Sequence, residues 1–307
     1  MVRTSTFSRL GEDIPLRRIG IMAIGAAIAT IGLVTYGSWV RVSGSGLGCP
    51  DWPLCNGGLT PGGDRATAIE YGHRLFAGLT MLGVFGAAFL SFQRRRDIPL
   101  PSALLVAASA LILTQAALGG AAVLAELPGS IVLAHFGMAM TILALVTTAG
   151  VLILTQDRPI AQFHLRAQPL VLIGAFVIMM GGSIVATESS FKCLDLPFCD
   201  GGGVMSQWLH GFHRIAGLFL GGGVGFLLWH LWRRSCPQPL FLIALALAGL
   251  LTAQMILGVV AIVLSFPSEL RIVHVALATL VWWALVAIWA LSSPKLGVRP
   301  EAGPGFR

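Results

Sequence analysis

The chain reads as an all-α polytopic membrane protein: eight transmembrane helices forming two pseudo-symmetric four-helix bundles derived from a tandem repeat. Three observations predict this. Hydrophobic residues make up 56% of the 307 positions and charged residues 11%, with a mean hydropathy of +0.84. Apolar runs of roughly 20 residues, the length that crosses the hydrocarbon core, recur along the chain. The third observation is internal repetition. Cys49-Pro50-Asp51-Trp52-Pro53-Leu54-Cys55-Asn56-Gly57-Gly58 returns as Cys193-Leu194-Asp195-Leu196-Pro197-Phe198-Cys199-Asp200-Gly201-Gly202. His73-Arg74 returns as His213-Arg214, Gln115 as Gln254 and His135 as His274, at offsets of 140, 139 and 139. Such ordered agreement marks a duplication.

The spans fall at about 18–40, 68–92, 100–125 and 130–154 in the first copy, and 169–187, 207–232, 238–265 and 270–292 in the second. The units are then a cytoplasmic N-terminus (1–17), a first bundle (18–154), a cytoplasmic linker (155–168), a second bundle (169–292) and a Pro/Gly-rich tail (293–307) that reads as disordered. The first span lacks a small-residue cleavage signature, so it is expected to remain as a helix rather than serve as a removed signal peptide.

The net charge of +7 reports topology, not nucleic-acid binding. Arg3, Arg9, Arg17 and Arg18 precede span one, and Arg94, Arg95 and Arg96 follow span two. Arg158 and Arg166 follow span four, Arg233 and Arg234 follow span six, and Lys295, Arg299 and Arg307 follow span eight. The opposite loops carry Arg41, Arg65, Lys192 and Arg271. By the positive-inside rule both termini are expected in the cytoplasm of a plasma-membrane protein. Cys49, Cys55, Cys193 and Cys199 then lie in extracytoplasmic loops, where disulfides persist, while Cys236 falls on the cytoplasmic side as a free thiol. Five residues, Asp and Pro among them, separate each pair, so a tight turn could join the sulfurs. A structural staple and a redox-active pair both remain open. Structural zinc usually takes closer spacing.

Four histidines carry the chemistry. His73, His135, His213 and His274 each sit a few residues into a span entering from the outer side, about 7–10 Å below its outer end at 1.5 Å per residue. Ionisable or ligating residues inside a membrane mark function by default. Two imidazoles per bundle, on separate helices, suit the axial positions of a haem, whose porphyrin supplies the remaining ligands. Bare metal ions want more ligands than each half offers. Small residues around the ligands (Gly72, Ala77 and Gly78; Gly211, Ala216 and Gly217) would let a macrocycle approach the backbone or would serve helix packing. Arg74 and Arg214 are candidates for haem propionates, with snorkelling to the interface as the alternative.

The copies differ at one position. Glu70 stands three residues before His73, on the same helical face, and His210 stands three before His213. A carboxylate one turn from a haem ligand can act as acid, base or charge stabiliser. It can also complement a helix N-terminus.

Glu70-Tyr71-Gly72-His73-Arg74, the Trp-Pro-Leu-Cys ending at Cys55, Gln115 with Leu118-Gly119, His135, His213-Arg214 and His274 together resemble the haem A synthase family of bacteria and mitochondria. The resemblance runs from span one to span eight, and the ordered set is more specific than any motif alone. It implies an oxidoreductase that converts the C8 methyl group of haem O to a formyl group by successive hydroxylations, giving haem A for cytochrome oxidase. It implies a resident haem b on His213 and His274, haem O or haem A as substrate or product between His73 and His135, and Glu70 as the catalytic carboxylate. The paired loop cysteines, Cys49–Cys55 and Cys193–Cys199, match the bacterial branch, although some relatives separate the first pair by six residues. Haem O synthase, the protohaem farnesyltransferase, is the implied partner, with a quinone or another electron acceptor; a homo-oligomer is compatible, and no nucleic acid is expected.

Two other readings fit the histidines: a dihaem b-type electron-transfer cytochrome and a haem transporter or chaperone. A transmembrane conduit should place its haems near opposite faces, whereas these ligands share one face. His210 is a competing ligand for the second haem. His164 and His230 read as loop and interface residues, Trp282 and Trp283 as packing residues, and Gly221 with Gly225 as a small-xxx-small helix contact.

Overall fold

The computed structural model describes residues 15–59, 62–156, 167–234 and 236–292. They form eight helices: α1 (Leu16–Val42), α2 (Arg65–Gln93), α3 (Pro99–Leu124), α4 (Gly129–Leu154), α5 (Gln168–Ala186), α6 (Val204–Arg233), α7 (Gln238–Val263) and α8 (Ser268–Ser292). All are long and apolar enough to cross a membrane. Among the described residues there is no strand beyond an isolated bridge between Cys55 and Gly58. Arg3, Arg9, Arg158, His164, Arg166, Lys295, Arg299 and Arg307, with the expected tail at 293–307, lie outside the described residues.

Proline sets most helix starts. Pro15, Pro128 and Pro237 are N-caps, and prolines occupy the first turns of α3, α5 and α7; a residue without an N–H forfeits nothing where no helical acceptor exists. α2 begins at Arg65, earlier than its apolar run, because Asp64 caps it by accepting from the Thr67 amide at 3.0 Å. The Thr67 bonds hold the Asp64 carboxyl below the usual carboxylate range. Helix ends repeat as faithfully as the sequence. Left-handed residues end α1 at Gly44 and α5 at Glu188, α3 at Glu126 and Leu127, and α7 at Ser265 and Phe266. In the last two the second residue's amide returns to the carbonyl five positions back, Leu127 to Ala122 and Phe266 to Ala261, closing the helix as a Schellman motif does.

Helix adjacency is the same in both halves. α1, α2, α3 and α4 form a closed ring of neighbours, as do α5, α6, α7 and α8, and α1 and α4 meet α5 and α8 between them. One core cluster joins Ile19, Ala23, Val84, Leu105, Leu143 and Val146; the other joins Leu220, Val224, Leu240, Leu247 and Leu285. Helix α8 serves both: Trp282 and Val286 enter the first cluster, Val281, Leu285 and Ile288 the second. The Trp282 indole donates to the Met140 carbonyl of α4 at 2.9 Å, so Trp282 is an inter-bundle residue. Of the glycine pair, Gly221 approaches Met255, whereas Gly225 has nothing near a would-be Cβ. His230 rests beside Phe226 at 6.1 Å, at the end of α6 where Arg233 lies over Trp229 and Trp232.

Close packing is densest at the end away from the cysteine loops. The buried residues of α4 begin at Met140 and those of α8 at Thr279, so the stretches carrying His135 and His274 have none. In α2 they skip from Glu70 to Thr80, and in α6 from His210 to Leu220. Each bundle therefore has a dense end and, around its histidines, a looser layer.

Where α1 packs on α4, a Cβ on Gly150 would lie 2.8 Å from Ile24 Cδ1 and 3.2 Å from the Ile24 backbone nitrogen. Gly150→Leu is expected to push the two helices apart and to destabilise the first bundle by about 1–3 kcal/mol. A lowered unfolding midpoint in detergent reads this; an unchanged midpoint would refute the contact.

Candidate functional site

Each of the four histidines is seated against a glycine of the neighbouring helix. A Cβ on Gly37 of α1 would lie 3.3 Å from His73 Cε1, and one on Gly181 of α5 would lie 3.1 Å from His213 Cε1. Likewise Gly119 of α3 meets His135 at 3.1 Å and Gly258 of α7 meets His274 at 3.4 Å. A Cβ at Gly37, Gly119 or Gly181 would crowd the imidazole, and one at Gly258 would touch it. The seats were legible as repeats, since Gly37 and Gly181 share the 144-residue offset of the cysteines and Gly119 and Gly258 the 139-residue offset of the glutamines. Only the helix adjacency says what they seat.

The ring nitrogens distinguish the halves. In the second, His213 Nδ1 donates to the Val177 carbonyl at 3.0 Å, which leaves Nε2 with its lone pair free to ligate. The His213 and His274 ring centroids are 6.5 Å apart. Two metal–nitrogen bonds of about 2 Å, with about 1 Å from each ligating nitrogen to its ring centre, sum to about 6 Å. The pair therefore fits the two axial positions of one iron. In the first half, the Gln115 amide lies 3.2 Å from His135 Nε2, and ligation of iron through that nitrogen requires the bond to be exchanged. Tyr36 stacks on Trp39 and meets the edge of His73 at 5.7 Å. The Nδ1 atoms of His73, His135 and His274 and the Oε1 atoms of Gln115 and Gln254 are buried without a hydrogen-bond partner, as a site built for a further group would leave them. Among the described residues no three His, Cys, Asp or Glu side chains gather as a metal ion would need. Two imidazoles per half, in a loosely packed layer, fit a porphyrin.

Both cysteine pairs are disulfides, with Cα–Cα distances of 4.7 Å for Cys49–Cys55 and 5.2 Å for Cys193–Cys199; Cys236 is free. Each loop is fastened by the arginine after the histidine. Arg74 donates to the carbonyls of Cys49 (2.8 Å), Asp51 (2.7 Å) and Leu54 (2.7 Å). Arg214 donates to those of Asp195 (2.8 Å), Pro197 (2.9 Å) and, at 3.4 Å, Cys193. The structure thus gives both arginines a partner other than the propionates expected from sequence, because the folded loop brings its carbonyls back over the helix end. The first loop is the tighter. Asp51 accepts from the amides of Asn56 and Gly57 at 2.7 and 2.8 Å, and the Gly57 bond foremost holds its carboxyl below the ordinary range. The Trp52 indole lies where a Cβ on Gly120 of α3 would fall, 2.7 Å from it, so this loop lies across the first bundle. The Tyr71 hydroxyl donates to the Leu59 carbonyl.

Glu70 and His210 occupy matching places with different partners. Glu70, 5% exposed, accepts from Arg74 Nε at 2.9 Å. His210, 4% exposed, has its Nε2 3.1 Å from the Ser189 carbonyl, a contact that withdraws the nitrogen from ligation and leaves His213 as the seated imidazole. One guanidinium therefore joins the carboxylate beside His73 to the disulfide loop, and the second half has no such link.

Cys49 and Cys55 are 0% and 1% exposed, whereas Cys199 is half-buried. Under a soluble phosphine with mass-tag readout, Cys193–Cys199 is expected to open first, by roughly tenfold, since access governs exchange. Arg74→Gln is expected to erase that difference by releasing the first loop; if the order of reduction survives it, the clamp does not protect the disulfide.

Comparison with known proteins agrees with this architecture. Residues 20–286 match the model of the COX15-CtaA family, described as cytochrome oxidase assembly protein. The chain is 30% identical over 222 residues to a protein named heme A synthase from Bacillus licheniformis, covering 67% of this chain and 72% of the relative. It is 29% identical over 245 residues to that of Bacillus pumilus, covering 74% and 79%, and 26% identical over 290 residues to that of Alkalihalophilus pseudofirmus, covering 88% and 95%. With its eight spanning helices and a family match over nearly its whole length, the chain belongs to the COX15-CtaA family of cytochrome oxidase assembly proteins.

Proposed function

We propose that this membrane protein is a heme A synthase, an oxidoreductase that converts the C8 methyl group of haem O to the formyl group of haem A. The carrying observation is the asymmetry of two otherwise matched sites: a buried carboxylate one turn from His73, and an imidazole bonded to a backbone carbonyl one turn from His213. A site that only holds its haem has no use for the carboxylate. A site that removes protons from its substrate does.

On this reading the first bundle (18–154) is the substrate domain, with haem O between His73 and His135, and the second (169–292) holds haem b on His213 and His274. Haem b supplies a one-electron redox centre when bound. Glu70 takes up a proton or stabilises positive charge as the substrate methyl is oxidised, and the Arg74 guanidinium holds its carboxylate in place. Two hydroxylations give a gem-diol that loses water. With water as the oxygen source, a methyl group and one water yield the formyl group, four protons and four electrons, the electrons passing to an acceptor of the quinone class. The haem sites and disulfide loops lie toward the extracytoplasmic side, both termini are cytoplasmic, and the substrate comes from the protohaem farnesyltransferase.

Glu70→Gln keeps the shape and removes the charge. In cells that also make haem O, it is expected to lower haem A formation by roughly 10²-fold or more while haem b stays bound, read by chromatography of extracted haems. Normal haem A formation would remove Glu70 from the mechanism. His213→Ala is expected to lose the resident haem b and His210→Ala to keep it, read from the absorbance of the purified protein; the opposite pattern would reassign the ligand.

A further inference from the structure

The seam between α1 and α2 continues from the His73 seat toward the densely packed end. Below Gly37 and His73, a Cβ on Gly32 would lie 3.3 Å from the Phe76 ring. Next comes a groove of about 260 Å³ that starts at Phe76 and is lined by Met22, Gly25, Ala26, Ala29, Leu79, Thr80 and Gly83. A Cβ on Gly25 or Gly83 would meet nothing within 4 Å. Leu79, 59% exposed, lies at its open side, so the groove faces the lipid.

The second bundle has the same seam, closed. By the 144-residue offset of the cysteines, Ala26 corresponds to Leu170 and Ala29 to Ile173; by the 140-residue offset of His73 and His213, Thr80 corresponds to Leu220 and Gly83 to Gly223. The Leu170 side chain occupies the space where a Gly223 Cβ would stand, and Leu170 and Leu220 are 9% and 2% exposed. Two copies of one helix pair thus differ in whether the seam is filled at the level of Gly83 and Gly223.

We propose that the α1–α2 groove holds the apolar isoprenoid tail of the farnesylated haem bound in the first bundle. The proposal rests on the substrate assignment above. The groove begins within one helical turn of the His73 seat and is lined by small apolar residues, and its counterpart is filled in the half assigned a haem without such a tail. Lipid is as apolar as the groove, so the gain is shape and orientation rather than hydrophobic transfer. A seated tail fixes the rotation of the porphyrin about the His73–His135 direction.

The test compares binding of added haem O and of added protohaem by the full chain in lipid nanodiscs, already loaded with its one resident haem b and read by chromatography as the haem extracted beyond that first protohaem per chain, which is the control for folding. The wild type is expected to retain haem O over protohaem. Ala26→Leu reproduces the Leu170–Gly223 packing that this chain already contains, and is expected to cut haem O retention roughly tenfold, as overpacking does, with protohaem unchanged. Gly83→Val is a second variant, placed in open space, expected to act in the same direction should Ala26→Leu lose the haem of the second bundle. Unchanged haem O preference in folded variants overturns the proposal, as does a wild type that holds both haems equally, which would leave the groove to lipid chains. A wild type that prefers haem O yet forms no haem A would sink the enzymatic reading and leave the groove standing.

Discussion

Hydrocarbon offers no hydrogen bonds, and a polar group that this protein places among its helices must find its partner within the chain or in a group bound there. The Arg74 guanidinium shows how that constraint shapes the site. It sits at the end of a span with a buried carboxylate one turn away, and three loop carbonyls fold back to meet it. The loop is thereby ordered, the disulfide buried and the carboxylate held beside the candidate ligand. Removing one member of such a network costs more than its own bonds, because the others lose their compensation.

The same constraint explains the two-ended bundles. With no hydrophobic drive between helices in lipid, association rests on close contact of small and branched side chains. That contact is concentrated at the end away from the loops, where Ile19, Leu105 and Val146, or Leu231, Leu240 and Ile288, are almost fully buried. Helix α8 contributes to both clusters and fixes the halves to each other. Rigidity at one end allows the other to keep a loosely packed layer with imidazoles projecting into it. The orphaned nitrogens and amide oxygens in that layer are tolerable only where another group completes them.

Duplication gave both halves one plan, and function lies in the departures from it. Glu70 against His210 separates a site with a carboxylate from one without. The Asp51 turn and Trp52 lay the first loop over its bundle, while the second disulfide remains half-exposed at Cys199. Ala26 against Leu170 separates an open seam from a filled one. All three differences set the first bundle apart from the second, and the proposed function assigns the larger, reacting ligand to it.

Much of this was legible in the chain itself. Apolar run lengths determined the number and type of helices to within a few residues, because a span must satisfy its own backbone regardless of its neighbours. The repeat determined which histidines, arginines and cysteines correspond, and the breach at Glu70 marked where to look. What the sequence did not determine was partnership. That Arg74 and Arg214 grip loop carbonyls, that Gly37, Gly119, Gly181 and Gly258 seat the imidazoles, and that Leu170 fills what Ala26 leaves open all depend on which helices lie side by side and at what height. Those contacts join residues far apart in the chain, and local periodicity carries no information about them; only the tertiary structure decided them.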